Sequence, residues 1–225
     1  LRANISGSNN SAFGYSALSS STSDGNSAFG YQSLFANTTG SSNNAFGYQS
    51  LFANTTGILN NAFGAGSLTA NTTGGSNHSF GNLSLTANTT GVSNSAFGGS
   101  SLTANITGSF NCAFGNLSGV NRTTYTHCAF FGFAADASVD NLTNAVAIGY
   151  AASVGLSNSM VLGGSGANQL SVGIGITPHP TVQFQLPTIH ANRKIVLYGA
   201  NNNDHQVFSF GTAAGIFKFQ MDINT

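Results

Sequence analysis

Five histidines, His78, His127, His179, His190 and His205, and two cysteines, Cys112 and Cys128, are the side chains best suited to chemistry in this chain. A metal site needs ligands at close spacing, and no Cys-x-x-Cys or His-x-x-x-His pair occurs. A symmetry axis through several copies could gather one histidine from each around an ion, with His78 or His127 as the ligand. A polar residue on a rung is the favoured reading of both. Serines abound, but a hydroxyl with no base beside it is a weak nucleophile. His127, near Asp136 and Asp140 in sequence, reads as a loop hydrogen bond rather than a catalytic dyad. The Gly173-Ile-Gly175 stretch lacks the lysine and helix of a phosphate loop. No catalytic residue, metal or cofactor is assigned, and the expectation is a protein that is not an enzyme.

Three other groups invite attention. Asn201, Asn202, Asn203, Asp204 and His205 form a polar turn and a candidate contact for a receptor or glycan. Cys112 and Cys128 lie 16 residues apart, close to the repeat described below. Stacked β rungs about 4.8 Å apart would hold their Cα atoms within disulfide range. The doubled Phe130-Phe131 suggests a one-residue bulge that would misalign them, so a disulfide and two buried free thiols both stay open. Asn37, Asn54, Asn71, Asn88 and Asn105 are glycosylation sequons in one column. Glycans every ~4.8 Å would collide, so a ladder of amides bonded rung to rung is the expected role. Asn121 and Asn141 stay open as occasional glycosylation sites.

The elements that carry these residues follow from composition and period. Charged residues make up 4% of the chain, against about 25% in ordinary soluble domains. There is no Glu and no Trp, and the 97 residues from Gly25 to Asn121 hold no charge. With a net charge of zero there is no basic surface for nucleic acid. Aromatics, 11% of the chain and regularly spaced, argue against disorder. No apolar run approaches the ~20 residues that span a bilayer as a helix, so no membrane insertion is expected. The sequence begins without Met and without a secretory signal, which suggests a processed or partial product.

Ala-Phe-Gly recurs from Ala12 onward, and its glycines stand at 14, 30, 47, 64, 81, 98, 115, 132 and 149. After a first step of 16, each step is 17, shortening to 14 at Gly163 and 12 at Gly175. A second column, Gly40, Gly57, Gly74, Gly91 and Gly108, usually closes an Asn-Thr-Thr-Gly turn. Seventeen residues are too few for a helix pair and suit two short strands with two turns, one coil of a parallel β-solenoid. The glycine after each Phe implies a positive-φ corner or a close backbone approach. The expected organisation is an all-β shaft over 1–176 and a small β tip over 177–225.

Strand residues alternate between faces, so two apolar columns must point opposite ways. One is Phe13, Phe29, Phe46, Phe63, Phe80, Phe97 and Phe114; the other is Leu34, Leu51, Leu68, Leu85 and Leu102. One column can fill the coil, with the Phe ladder expected to dominate stability. The other needs a second surface, which association into a homotrimer would supply. The alternative is that glycine bends the strand and brings both columns inside.

The Asn-x-Ala-Phe-Gly-x-x-Ser-Leu coil resembles the head repeats of YadA-type trimeric autotransporter adhesins. The closest stretch is 144–152, Asn-Ala-Val-Ala-Ile-Gly-Tyr-Ala-Ala. That resemblance implies a left-handed β-roll wound as a trimer. The 17-residue units with Phe are more similar to repeats in fibres of tailed phages and large DNA viruses. Ser-Val-Gly-Ile-Gly-Ile-Thr-Pro at 171–178 is similar to a motif that ends many tail-fibre shafts. Residues 192–198 and 203–206 resemble the β-rich tip that follows it. Together these imply an extracellular structural and adhesive fibre, on a virion or cell surface, that attaches to a host receptor or glycan. An ice-binding solenoid and a self-assembling extracellular filament subunit are the alternatives. The ice-binding reading is weakened because Thr69, Thr86 and Thr103 replace Phe35 and Phe52 in one column.

Overall fold

The computed structural model describes residues 7–163, which are all β, with no helix. Ten three-residue strands stack in chain order into one parallel sheet. They are β1 (Ser11–Phe13), β2 (Ser27–Phe29), β3 (Asn44–Phe46), β4 (Asn61–Phe63), β5 (His78–Phe80), β6 (Ser95–Phe97), β7 (Cys112–Phe114), β8 (Ala129–Phe131), β10 (Val146–Ile148) and β12 (Met160–Leu162). Two shorter strands, β9 (Asp136–Ala137) and β11 (Ser153–Val154), pair parallel in a second sheet. The chain is a β-solenoid whose register places like residues on like: Asn44 on Asn61, Ala45 on Ala62, Phe46 on Phe63.

Two strands per coil were expected; the coils of β8 and β10 carry a second short strand, β9 and β11, and the other described coils carry one regular strand. The rest of the coil is kinked by left-handed residues, as at Gln49 (φ 51°) and Leu51 (φ 49°) in the coil of β3. Main-chain hydrogen bonds between coils continue through the kinks; Leu34 N donates to Ser50 O and Leu51 N to Ser67 O, both at 3.0 Å. The glycine after Phe is required on two counts. Gly47 has φ +145°, and a Cβ there would lie 2.5 Å from Gly64 O in the next coil. Positive φ and close approach coincide at this corner, as the repeat implied.

The centre of each strand points inward. Ala28, Ala45, Ala62, Ala96 and Ala113 are fully buried, and so are Leu34, Leu51, Leu68, Leu85 and Leu102. The Leu column therefore fills the coil. The Phe column faces out on the same strands, so it is the column left for a second surface, and the two columns do not both turn inward. Neighbouring residues on an extended strand must alternate, and the small Ala is what the narrow interior accepts.

The pattern is exchanged once. Gly119 stands in the Leu column and Phe130 in the Ala column of the following coil. A Cβ on Gly119 would meet Leu102 Cδ2 at 2.7 Å and Phe130 Cδ2 at 2.9 Å, so the buried Phe130 ring takes the space of the missing leucine. The doubled Phe130-Phe131 is therefore no bulge: Ala129, Phe130 and Phe131 lie in unbroken register with Cys112, Ala113 and Phe114.

Candidate functional site: the outward aromatic face

The outward side chains of the sheet make one apolar column. Phe13, Phe29, Phe46, Phe63, Phe80, Phe97, Phe114 and Phe131 stack ring on ring, with centroids 4.6–4.9 Å apart from Phe29 to Phe114. Their planes there lie within 7° of parallel, because the rungs repeat in register. Ile148 and Leu162 continue the column. Phe29, Phe114 and Phe131 stay 38%, 41% and 37% exposed. On the same face the residue two before each Phe runs Asn44, Asn61, His78, Ser95, then Cys112, Ala129, Val146, Met160, polar at first and apolar later. Beyond the glycine corner stand further stacks, Tyr15–Tyr31–Tyr48 and Phe133–Tyr150.

Two amide ladders run inside the coil. Asn54, Asn71, Asn88 and Asn105 each donate Nδ2 to Oδ1 of the column member one coil earlier, at 2.8–3.2 Å, beginning at Asn37. Each also donates to the glycine carbonyl three residues on, as Asn71 does to Gly74 O at 2.9 Å. All five side chains are fully buried, so this column cannot carry glycans in the folded chain. The second ladder, Asn26, Asn43, Asn60, Asn77, Asn94 and Asn111, was not singled out from sequence, although its signal is the Asn that opens each Asn-x-Ala-Phe-Gly unit. Its Oδ1 atoms accept from the next coil's backbone N–H; Asn43 Oδ1 takes Asn60 N at 3.0 Å. The first ladder ends at Asn105, whose buried Oδ1 lacks a partner because Arg122 follows in the column.

The thiols are free. Cys112 opens β7 and faces outward, whereas the buried Cys128 continues the second Asn column, its N–H donating to Asn111 Oδ1 at 3.0 Å. A spacing of 16 in a 17-residue coil places them one position out of step, on opposite faces of the wall, and the 112–128 disulfide is not formed. Burial pushes both thiols above their ordinary pKa, which makes them poor nucleophiles.

The two described histidines do not assemble a site either, and His179, His190 and His205 lie outside the described residues. His78 Nδ1 lies 2.9 Å from Asn61 Nδ2, at the end of a short outward amide column. His127 stacks on Phe110 at 4.9 Å instead of meeting a carboxylate. Asp136, nearly buried in the Leu column, accepts from Tyr125 Oη at 2.7 Å, Asn121 Nδ2 at 2.7 Å and Ala137 N at 2.8 Å. Burial first, and the Asp136 carboxylate second, drive the Tyr125 hydroxyl far above its usual pKa, so it stays a donor. Asp140 accepts Thr123 N at 3.0 Å. Among the described residues no three His, Cys, Asp or Glu side chains group as a metal site. The Asn201–His205 group and the tip expected over 177–225 lie outside the described residues.

Compared with known protein families, curated proteins and solved structures, the chain matches none.

Proposed function

We propose that this chain is the subunit of a homotrimeric structural and adhesive fibre, in which the outward aromatic column is the surface between subunits. The observation that carries the reading is that column: ten apolar side chains in line, unbroken from Phe13 to Leu162, on a wall with almost no charge. Phe29, Phe114, Phe131 and Leu162 are each more than a third uncovered and the rings between them partly so, which leaves on the order of several hundred Å² of the column open per chain, toward the ~800 Å² per partner of a stable interface. Soluble monomers rarely leave a contiguous apolar patch of that size open. Three copies close such a face around one axis, the arrangement implied by the adhesin-like and tail-fibre-like repeats, which also imply left-handed winding. The rod then holds a tip, residues 177–225, away from a virion or cell surface, and three tips multiply a weak contact with a host receptor or glycan. Catalysis has no part in this reading.

Ice binding is less well supported. The hydroxyls of Thr38, Thr55, Thr72 and Thr89 each donate to a carbonyl of the next coil, at 3.0–3.2 Å, and are committed to the rungs. The test is the native mass by light scattering, with and without detergent. Three chains, resistant to the detergent, are expected; a monomer would overturn the proposal.

A further inference from the structure

The Tyr15–Tyr31–Tyr48 column has no part in closing the coil or in the proposed interface column. We propose that it is an oxidative modification site, at which a one-electron oxidant of the peroxidase and hydrogen peroxide class couples neighbouring phenols into dityrosine and staples successive coils.

Three observations converge on it. The rings stack at centroid distances of 5.4 Å and 5.3 Å, with planes 11° and 7° from parallel. All three are open to solvent, at 69%, 43% and 55% exposure, so an oxidant reaches them. Their spacing is held from beneath: Gln32 N donates to Tyr15 O at 2.8 Å, Gln49 N to Tyr31 O at 2.9 Å, and the Gln49 amide donates to the Gln32 side chain at 3.0 Å. The column ends at Ala65, one coil after Tyr48. The two remaining described tyrosines lack a like neighbour. Tyr125 is buried against Asp136, and Tyr150 stacks on Phe133, which has no phenol. The chain has no tryptophan to drain a tyrosyl radical, and the free thiols belong to later coils, at 112 and 128.

The chemistry balances within the site. Each phenol gives one electron and its hydroxyl proton to the oxidant, leaving two neutral radicals on adjacent rungs. The carbons ortho to the two oxygens form one C–C bond. Each then loses its hydrogen as a proton while the phenoxyl oxygen regains one, which restores both aromatic rings. One hydrogen peroxide is reduced to two waters, and the chain loses two hydrogen atoms per link. Exposed side chains hop rotamers on the picosecond to nanosecond scale, which lets stacked rings bring ortho carbons together within the radical lifetime.

The full-length protein is treated with a haem peroxidase and hydrogen peroxide, then examined by dityrosine fluorescence, denaturing gel and peptide mass spectrometry. The expected product keeps single-chain mobility and yields a linked peptide pair, 15 with 31 or 31 with 48, lighter by two hydrogens. Tyr31→Phe keeps the ring and the stack but removes the shared partner, and should abolish the intrachain signal; Tyr150→Phe should leave it unchanged. The proposal is overturned by dityrosine found only between chains, by a signal that survives Tyr31→Phe, or by none under conditions that couple free tyrosine.

Discussion

The exchange at Gly119 and Phe130 is a packing claim that a double-mutant cycle tests directly. Phe130 is fully buried, so Phe130→Ala should cost about 3–5 kcal/mol. Gly119→Leu alone places a side chain where the Phe130 ring already lies, with even the first carbon 2.9 Å from Phe130 Cδ2. Overpacking of that kind costs about 1–3 kcal/mol. Independent effects would sum to roughly 4–8 kcal/mol. The double variant instead restores Leu as at Leu102 and Ala as at Ala113 and Ala147, and the backbone accepts it. Gly119 has φ 62° and Leu102 already sits at 49°. Tyr125, which tilts against Phe130 at 4.9 Å, would keep a residual gap. The double variant should therefore recover at least about 1–3 kcal/mol relative to the sum, the size of coupling seen between touching residues. The assay is guanidinium unfolding followed by far-UV circular dichroism at one fixed chain concentration, because an assembling chain gains apparent stability with concentration. Additivity within about 0.5 kcal/mol would refute the exchange.

Three further perturbations probe the wall, the outer face and the Tyr125 network. Asn71→Leu removes the donor to Asn54 Oδ1 and the acceptor for Asn88 Nδ2, both inside the coil, and should lower stability by about 2–4 kcal/mol in the same unfolding assay. Phe80→Asp puts a charge into the outward stack; light scattering should show loss of assembly while circular dichroism still reports a folded solenoid, and an intact trimer would count against the interface. Tyr125 ionises harder folded than unfolded, so its contribution is full below the ordinary phenol pKa of 10.0 and is lost as pH rises beyond it. Melting temperature should fall above that pH, less so in Tyr125→Phe, and an identical decline in both proteins would exclude Tyr125 as the cause.

Much of the fold is legible in the sequence because a solenoid writes its period directly. The glycine column gives the coil length, and the Asn-Thr-Thr-Gly column gives the buried amides. Which apolar column lies inside was not legible. Parity puts Leu51 on the side of Ala45 and opposite Phe46, as the structure has them, but it does not say which of the two sides is the interior. The left-handed residues after the glycine corner, such as Gln49 and Leu51, are likewise not legible, and they leave a second regular strand only in the coils of β8 and β10. Cys112 and Cys128 looked like neighbours because 16 is near 17, yet on a wall that alternates sides one position reverses the direction. The Asp136 network could not be foreseen either, since it joins Asn121, Tyr125 and Asp136 across the coil exchange, where no repeat guides the alignment.

The near absence of charge follows from the architecture. In a parallel stack with like on like, each residue meets its own kind about 4.8 Å above and below. Identical charges at that distance repel by about 1 kcal/mol per pair even in bulk water, and the cost recurs at every rung. Only side chains that attract themselves can be repeated: Asn, which donates to the copy below and accepts from the copy above; Phe and Tyr, which stack; Thr, whose hydroxyl reaches the next carbonyl. The described charges sit where copying fails. Asp24 lies in the 16-residue coil, and Arg122, Asp136 and Asp140 cluster around the Gly119–Phe130 exchange. There each carboxylate takes a backbone N–H of the preceding coil, Ser8 to Asp24, Asn121 to Asp136 and Thr123 to Asp140. Arg122, in the position of the next ladder amide, spends its donors on Ala137 O and Ser138 O. Among the described residues, charge marks the places where the repeat needs a hydrogen-bonding partner that its own copies do not supply.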